Sequence, residues 1–362
     1  MQSYRIPLVP GPVAIAPEVL ELYATNFASA DMEEDFFQLY SQCEFALQQL
    51  VNTRNDIVIL SGEGMVALWG ALKSSVLPGD RVLAVANGVF GDGIGEMAQK
   101  IGAQVEFVRF PYDQAIDADL VREIAQEFEP NLVTAVHCET PSGVLNPLDD
   151  LGQIAHDVDA LFYVDYVASA AGVEVRNDDW NIDLGLLGSQ KALSLMPDLG
   201  MVTVSPRAWE RIGRVGYVGY DALEPFRSAW KERLMPYTHN WHALAGLKLS
   251  LDALFAEGLD DVFRRHMDCM SACHVRLEGL RIRLYPEDRA FASPTVTAAY
   301  LPDGWPWPRL LESLRAEGMG VGGSYGSLNG IVFRIGHMGN QANLELVHRG
   351  MDVLEYVLGR RY

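Results

Sequence analysis

Apolar residues recur along this chain with two different periods, and the places where the period switches outline its elements. Between residues 33 and 50, Phe36, Tyr40, Cys43, Leu47 and Leu50 fall on one helical face, and Phe37 widens it. Short apolar runs then alternate with helical patterns. Residues 56–60, 81–86, 104–109, 132–137 and 160–165 read as strands, and residues 65–76, 91–101, 117–128 and 148–157 as helices. Pro78-Gly79-Asp80 stops the first of these helices. A βα alternation of this kind predicts an α/β fold, a mostly parallel sheet flanked by helices and closed by right-handed crossovers. The pattern changes near residue 250. Residues 251–274 read as one long helix, 307–317 and 344–358 as helices, and 295–301 and 332–335 as strands. We therefore expect a large unit over residues 15–250 and a smaller α+β unit over 251–362, joined by residues 1–14.

Composition narrows the partners. The chain has 362 residues, 49% of them hydrophobic, enough for one large or two ordinary domains. Its 48 acidic residues against 28 basic ones give a net charge of −20, which argues against a nucleic acid or an anionic membrane as partner. A local basic site can still take a small anion. No apolar stretch reaches the ~18 residues of a membrane span, and the first twelve residues lack the apolar run of a signal peptide. Cys43, Cys138, Cys269 and Cys273 show no repeated CxxC spacing, and a reducing, cytoplasmic setting is expected. Cys269, Cys273 and His274 could be read as metal ligands. With no further ligand pair nearby, the expectation is two cysteines one helical turn apart beside a surface histidine, and no metal.

The candidate chemistry centres on Gly188-Ser189-Gln190-Lys191-Ala192-Leu193 and on Asp165, at the end of the apolar run Tyr163-Val164-Asp165. A pyridoxal cofactor needs a lysine amine to form a Schiff base with its aldehyde and a carboxylate to keep its ring nitrogen protonated. Either residue alone could be an ordinary polar side chain; their shared place at the C-terminal edge of a parallel sheet favours chemistry. Gly62-Glu63-Gly64-Met65 lies between a strand and a helix, where free backbone N–H groups make a ready anion site. The same stretch matches a dinucleotide fingerprint, yet the next strand ends in Asn87-Gly88 and not in the acid that a ribose requires. Glu63 beside a phosphate would repel it, so either this side chain points away or the anion is not a full phosphate ester. Thr140 and Ser142 could hydrogen-bond a cofactor ring oxygen or simply cap a turn. Phe90 could stack on a cofactor ring or fill the core. Arg334, between Phe333 and Ile335, needs an anion, either a substrate carboxylate or a structural salt-bridge partner.

In order and spacing these segments resemble the class V aminotransferases of fold type I, in particular the alanine–glyoxylate aminotransferase group. The resemblance runs from Gly11-Pro12-Val13 through Asn87-Gly88-Val89-Phe90-Gly91 and Glu139-Thr140-Pro141-Ser142-Gly143 to Phe333-Arg334-Ile335-Gly336. It implies a pyridoxal 5′-phosphate enzyme that moves an amino group from a small amino acid to pyruvate or glyoxylate by ping-pong chemistry. By the same resemblance Lys191 carries the Schiff base and shuttles the Cα proton, and Asp165 pairs with the ring nitrogen. Val167 and Phe90 sandwich the ring. Gln190 and the turn Glu63, Gly64 and Met65 face the phosphate, and Arg334 binds the substrate carboxylate. Thr238 is expected to reach the phosphate of a neighbouring subunit, which implies a homodimer or homotetramer with its active site at the interface.

Two departures stand out. The family usually has Ser-Gly followed by His or Thr where this chain has Glu63-Gly64-Met65. A glutamate there resembles pyridoxamine–pyruvate aminotransferase, which uses the unphosphorylated vitamer as a substrate, whereas Ser189-Gln190 is the phosphate-type sequence. That relative's second carboxylate-binding arginine aligns with Tyr325, and the family's early His-Arg pair is replaced by Asp31-Met32-Glu33-Glu34. The expectation is thus a pyridoxal-phosphate aminotransferase, with the free vitamer as substrate as the alternative and a nicotinamide oxidoreductase as a reading from another class. A desulfurase would need a mobile cysteine late in the chain, and Cys269 and Cys273 fall in a helical pattern.

Overall fold

A strand covered on both faces must be largely apolar, and four strands of the central sheet are buried at every position. The computed structural model describes residues 3–359; the ends of the expected units, residues 1–2 and 360–362, lie outside the described residues. The sheet contains β1 (Asp56–Ser61), β2 (Arg81–Ala86), β3 (Gln104–Arg109), β4 (Leu132–Val136), β5 (Leu161–Asp165), β6 (Leu184–Gly188) and β7 (Leu199–Val204). Their spatial order is β1-β7-β6-β5-β4-β2-β3. Six of them run in one direction, and β7 lies antiparallel between β1 and β6. The reversal follows from a short connection. Residues 189–198 hold no helix, and a parallel return needs a crossover of a dozen or more residues. Lys191 sits in this turn, beside the middle of the sheet.

The helices Glu34–Leu50, Gly64–Ser75, Val89–Ile101, Ala118–Phe128 and Asp149–Asp157 lie within two residues of the expected bounds. The stretch 251–274 differs from its expectation as one helix. It is divided between Trp241–Glu257 and Leu259–Gly279, which meet at Gly258 with φ 91°. An L side chain avoids that backbone conformation, so the chain changes direction there. The helix Pro206–Val215 is not among the expected elements, although Pro206 opens it, Ser205 caps it at Ala208 N–H, Gly216 ends it, and Ala208, Trp209 and Ile212 form its buried face.

Two apolar cores result. One surrounds the seven-stranded sheet; the other gathers Ile6, Leu8, Leu277, Leu314, Phe333 and Leu354. The helix Leu259–Gly279 bridges them, placing Val262 in the first and Cys269, Cys273 and Leu277 in the second. The second core supports an antiparallel sheet of Val296–Tyr300, Val332–Gly336 and Gly322–Gly323. The N-terminal segment belongs to it: Ile6–Pro7 pairs in parallel with Met319–Gly320. His274 is a correction, because it is buried against this core and not on the surface. Among the described residues no three His, Cys, Asp or Glu side chains gather to hold a metal, and no helix is long and apolar enough to cross a membrane.

Candidate active site

The C-terminal ends of β1, β2, β4, β5 and β6 open onto one cavity of about 150 Å³. Its lining includes Glu63, Gly64 and Met65 after β1, Phe90 after β2, Thr140 after β4, Asp165 and Val167 at the end of β5, and Gln190 and Lys191 after β6. A parallel sheet aims its strand ends at one edge, which is why residues 63 to 191 converge. Three expected residues lie outside this lining: Ser142, Thr238 and Arg334. Ser142 is fully buried and donates its hydroxyl to the Glu139 carbonyl at 3.3 Å, the turn-capping role. Thr238 is exposed on the segment between Arg233 and Asn240, outside the lining of this chain's own cavity.

Burial tunes the two reacting groups from opposite sides. It lowers the Lys191 amine to about 8, with the Arg334 charge pushing the same way and Cys138, Asp165 and Glu63 opposing. It raises the Asp165 carboxyl to about 6, although Val167 N–H donates to its Oδ1 at 2.8 Å and the Lys191 charge favours the ionised form. Lys191 Nζ donates to the Pro10 carbonyl at 2.8 Å. Pro10 belongs to the N-terminal segment, and its part in the site is one that the sequence signals only through the rigid Pro10-Gly11-Pro12 run.

Glu63 occupies the start of the helix Gly64–Ser75. Its Oε1 accepts from Met65 N–H at 3.0 Å, and its Oε2 accepts from Gln190 Nε2 at 3.2 Å. The carboxylate therefore already serves the helix N-terminus where the phosphate of a cofactor would be expected. Gln190 Oε1, buried, has no hydrogen-bond partner. Arg334 is 3% exposed, donates Nε to the Gly323 carbonyl at 2.7 Å, and stacks 4.7 Å from the centre of the Tyr325 ring. It makes no ion pair among the described residues, and burial lowers its guanidinium. Of the two readings of this arginine, the salt bridge is thus not formed among the described residues.

Glu139 is a residue whose weight the sequence does not reveal. It is wholly buried, and its two oxygens accept Gly91 N–H at 2.7 Å and Phe90 N–H at 3.2 Å. It holds the first turn of the helix that carries Phe90. Burial still lifts its carboxyl to about 8.

An amine and a carboxylate in one cavity, with Phe90, Val167 and Leu68 as apolar walls, fit a pyridoxal ring. The nicotinamide reading fails on topology, because an antiparallel β7 occupies the sheet interior and no acid follows β2. Cys269 and Cys273 are buried inside a regular helix and far from the mobility that a sulfur-transfer role demands.

Comparison with known proteins agrees with the geometry. Residues 14–322 match the family Aminotransferase class-V. The chain is 30% identical to the alanine–glyoxylate aminotransferase of Felis catus over 98% of its own length and 88% of that protein. It is 31% identical to the pyridoxamine–pyruvate transaminase of Mesorhizobium japonicum over 93% of its length and 87% of that protein. The structure of an alanine–glyoxylate aminotransferase from Nostoc sp. superposes with a TM-score of 0.94 at 29% identity, covering 99% of this chain and 96% of that one. This chain belongs to the class-V aminotransferases, and it is a pyridoxal-phosphate-dependent transaminase acting on amino acids and keto acids.

Proposed function

We propose that the enzyme transfers the amino group of a small amino acid to pyruvate or glyoxylate, with Lys191 as the reacting amine and Arg334 as the seat of the substrate α-carboxylate. The observation that carries this reading is the buried Arg334 guanidinium, which has no carboxylate partner among the described residues and whose charge is felt at Lys191. A planar fork takes a carboxylate through two parallel hydrogen bonds and so fixes the Cα–H bond relative to the lysine. The bound cofactor supplies the electron sink that makes loss of the Cα proton possible. Asp165 holds the proton on the ring nitrogen. Phe90 and Val167 pack against the ring and keep water from it. The Lys191 amine would take the Cα proton and return it, across the imine nitrogen, to the carbon that was the cofactor's aldehyde. Arg334→Ala should lower kcat/KM for donor and acceptor alike by roughly 10- to 100-fold, the loss of a charge-assisted bidentate contact. Equal kcat/KM in variant and wild type would refute the assignment.

A second reading has its own observation. The Glu63 carboxylate at the helix start, and the unpartnered Gln190 Oε1 beside it, suit a hydroxymethyl group that donates hydrogen bonds better than a phosphate that only accepts them. The relative named pyridoxamine–pyruvate transaminase is consistent with a free B6 vitamer as the amino donor. In the first reading Glu63 swings aside when phosphate binds. Glu63→Ser should then tighten the phosphorylated vitamer at least tenfold relative to the free one, measured by equilibrium titration. A wild-type preference for the free vitamer that this substitution leaves unchanged would exclude Glu63 as the discriminator.

The exposed Thr238 supports a dimer or tetramer in which this threonine completes the neighbour's site. Four free, buried thiols suit a reducing, cytoplasmic setting. We further divide the chain into a cofactor-binding unit, residues 15–250, and a smaller unit, residues 251–362 with 1–14, on the strength of the two apolar cores.

A further inference from the structure

A lysine amine that reacts from several positions needs a resting place. In this structure the Lys191 nitrogen is not held by a carboxylate; among the described residues it forms no ion pair. Its partner is the Pro10 carbonyl, 2.8 Å away. The approach is close because residue 11 is glycine. A Cβ placed on Gly11 would lie 2.8 Å from both Nζ and Cδ of Lys191, and Gly11 has φ 97°, a conformation that side chains avoid.

The carbonyl is itself held from both sides. Val13 N–H donates to the Gln190 carbonyl at 3.2 Å, tying the segment to the lysine's own turn. Gln341 grips the other side: its Nε2 donates to the Val9 carbonyl at 2.8 Å, and its Oε1 accepts Ala14 N–H at 3.0 Å. Leu8 exchanges backbone hydrogen bonds with Gly320 and Gly336. Pro10 also packs on Gly322, whose neighbourhood includes the Arg334 guanidinium. The segment thus runs from the seat of the substrate carboxylate to the reacting nitrogen.

We propose that the Pro10 carbonyl is the docking acceptor for the free Lys191 amine, and that Gln341 acts as a positioning residue by fixing the strap that carries this carbonyl. The inference rests on Lys191 being the reacting lysine. In the neutral amine one N–H is committed to Pro10, so the lone pair is directed to the cavity and not left to rotate. In the ammonium form the same carbonyl stabilises the charge. The other groups that set this charge are Arg334, Cys138, Asp165 and Glu63.

The test uses the full-length protein freed of cofactor. Pyridoxal and cyanoborohydride are added at a series of pH values, and the label on the Lys191 peptide is followed by mass. Wild type should label with an inflection near pH 8. Gln341→Ala, which leaves every atom next to Lys191 in place, should lower the plateau rate several-fold. It should also move the inflection downward by roughly half to one unit, because a weakened acceptor stabilises the ammonium less. Gly11→Ala should lower the plateau further. A merely structural role would lower the melting temperature and leave the inflection where it was, and that result would overturn the proposal. If Gly11→Ala does not fold, Gln341→Ala decides alone. A wild-type protein that takes no label on Lys191 at any pH would remove the lysine assignment and the proposal with it; labelling that is identical in wild type and variants would remove the proposal only.

Discussion

Glu139 shows at the scale of one residue what burial does to a carboxyl group. Two backbone N–H groups favour its ionised form, burial opposes it more strongly, and its value settles at about 8. A folded value above the ordinary 4.5 means that the native state holds this proton more tightly than the unfolded chain does. The resulting stability is fully present below about 4.5 and is lost as pH rises through about 8. Glu139→Gln removes this titration while keeping one acceptor for the helix. We expect wild type to lose stability between pH 6.5 and pH 8 in denaturant titrations, and the variant to narrow that loss by at least about 1 kcal/mol. An unchanged loss would mean that Glu139 does not titrate there. Asp165 at about 6 and Lys191 at about 8 are moved by the same force, which brings a carboxyl and an amine that normally differ by more than six units close to the pH at which protons must pass between partners.

At the scale of elements, the sequence is most legible where burial dictates the pattern. Strands apolar on both faces, such as Leu132–Val136 and Leu161–Asp165, announce themselves, and with them the edge at which Asp165 and Lys191 meet. β7 is not among the expected strands, and its reversed direction is decided by the length of the turn at 189–198 and by its two neighbours in space. The break at Gly258 is hidden inside a helical period that continues on either side of it. The site divides in the same way. Residues that follow strand ends, Phe90, Val167 and Gln190, line the cavity as expected. Ser142 does not, since the turn it belongs to uses its hydroxyl internally. The Pro10 carbonyl is announced by nothing beyond the rigid Pro10-Gly11-Pro12 run, because a backbone atom carries no residue signature and its partner lies 181 residues away.

Across the whole molecule, buried histidines set the acid limit. His137 and His266 are held at about 3, and His274 and His337 at about 4, by burial in each case. Their unfolded value is 6.5, so the unfolded chain takes up protons that the native state refuses. This contribution is complete above 6.5 and is lost as pH falls toward 4. Above 6.5 the buried carboxyls and a net charge of −20 act in the opposite direction. Stability in denaturant should therefore peak near pH 6.5 and fall on both sides, and a curve that rises steadily to pH 9 would contradict this balance. The strap at residues 6–14 has a further consequence, for the order in which the protein is made. Besides Gln190 and Lys191, its hydrogen-bond partners include Gly318, Gly320, Gly336 and Gln341, more than three hundred residues later. On the ribosome, the lysine at 191 and its cavity emerge long before the strand and loop that seat the strap. A nascent chain halted before residue 341 should have most of its large core and its Pro10 carbonyl, yet lack the Gln341 side chain that seats that carbonyl against the reactive amine, so that full cofactor capture is timed to the end of synthesis.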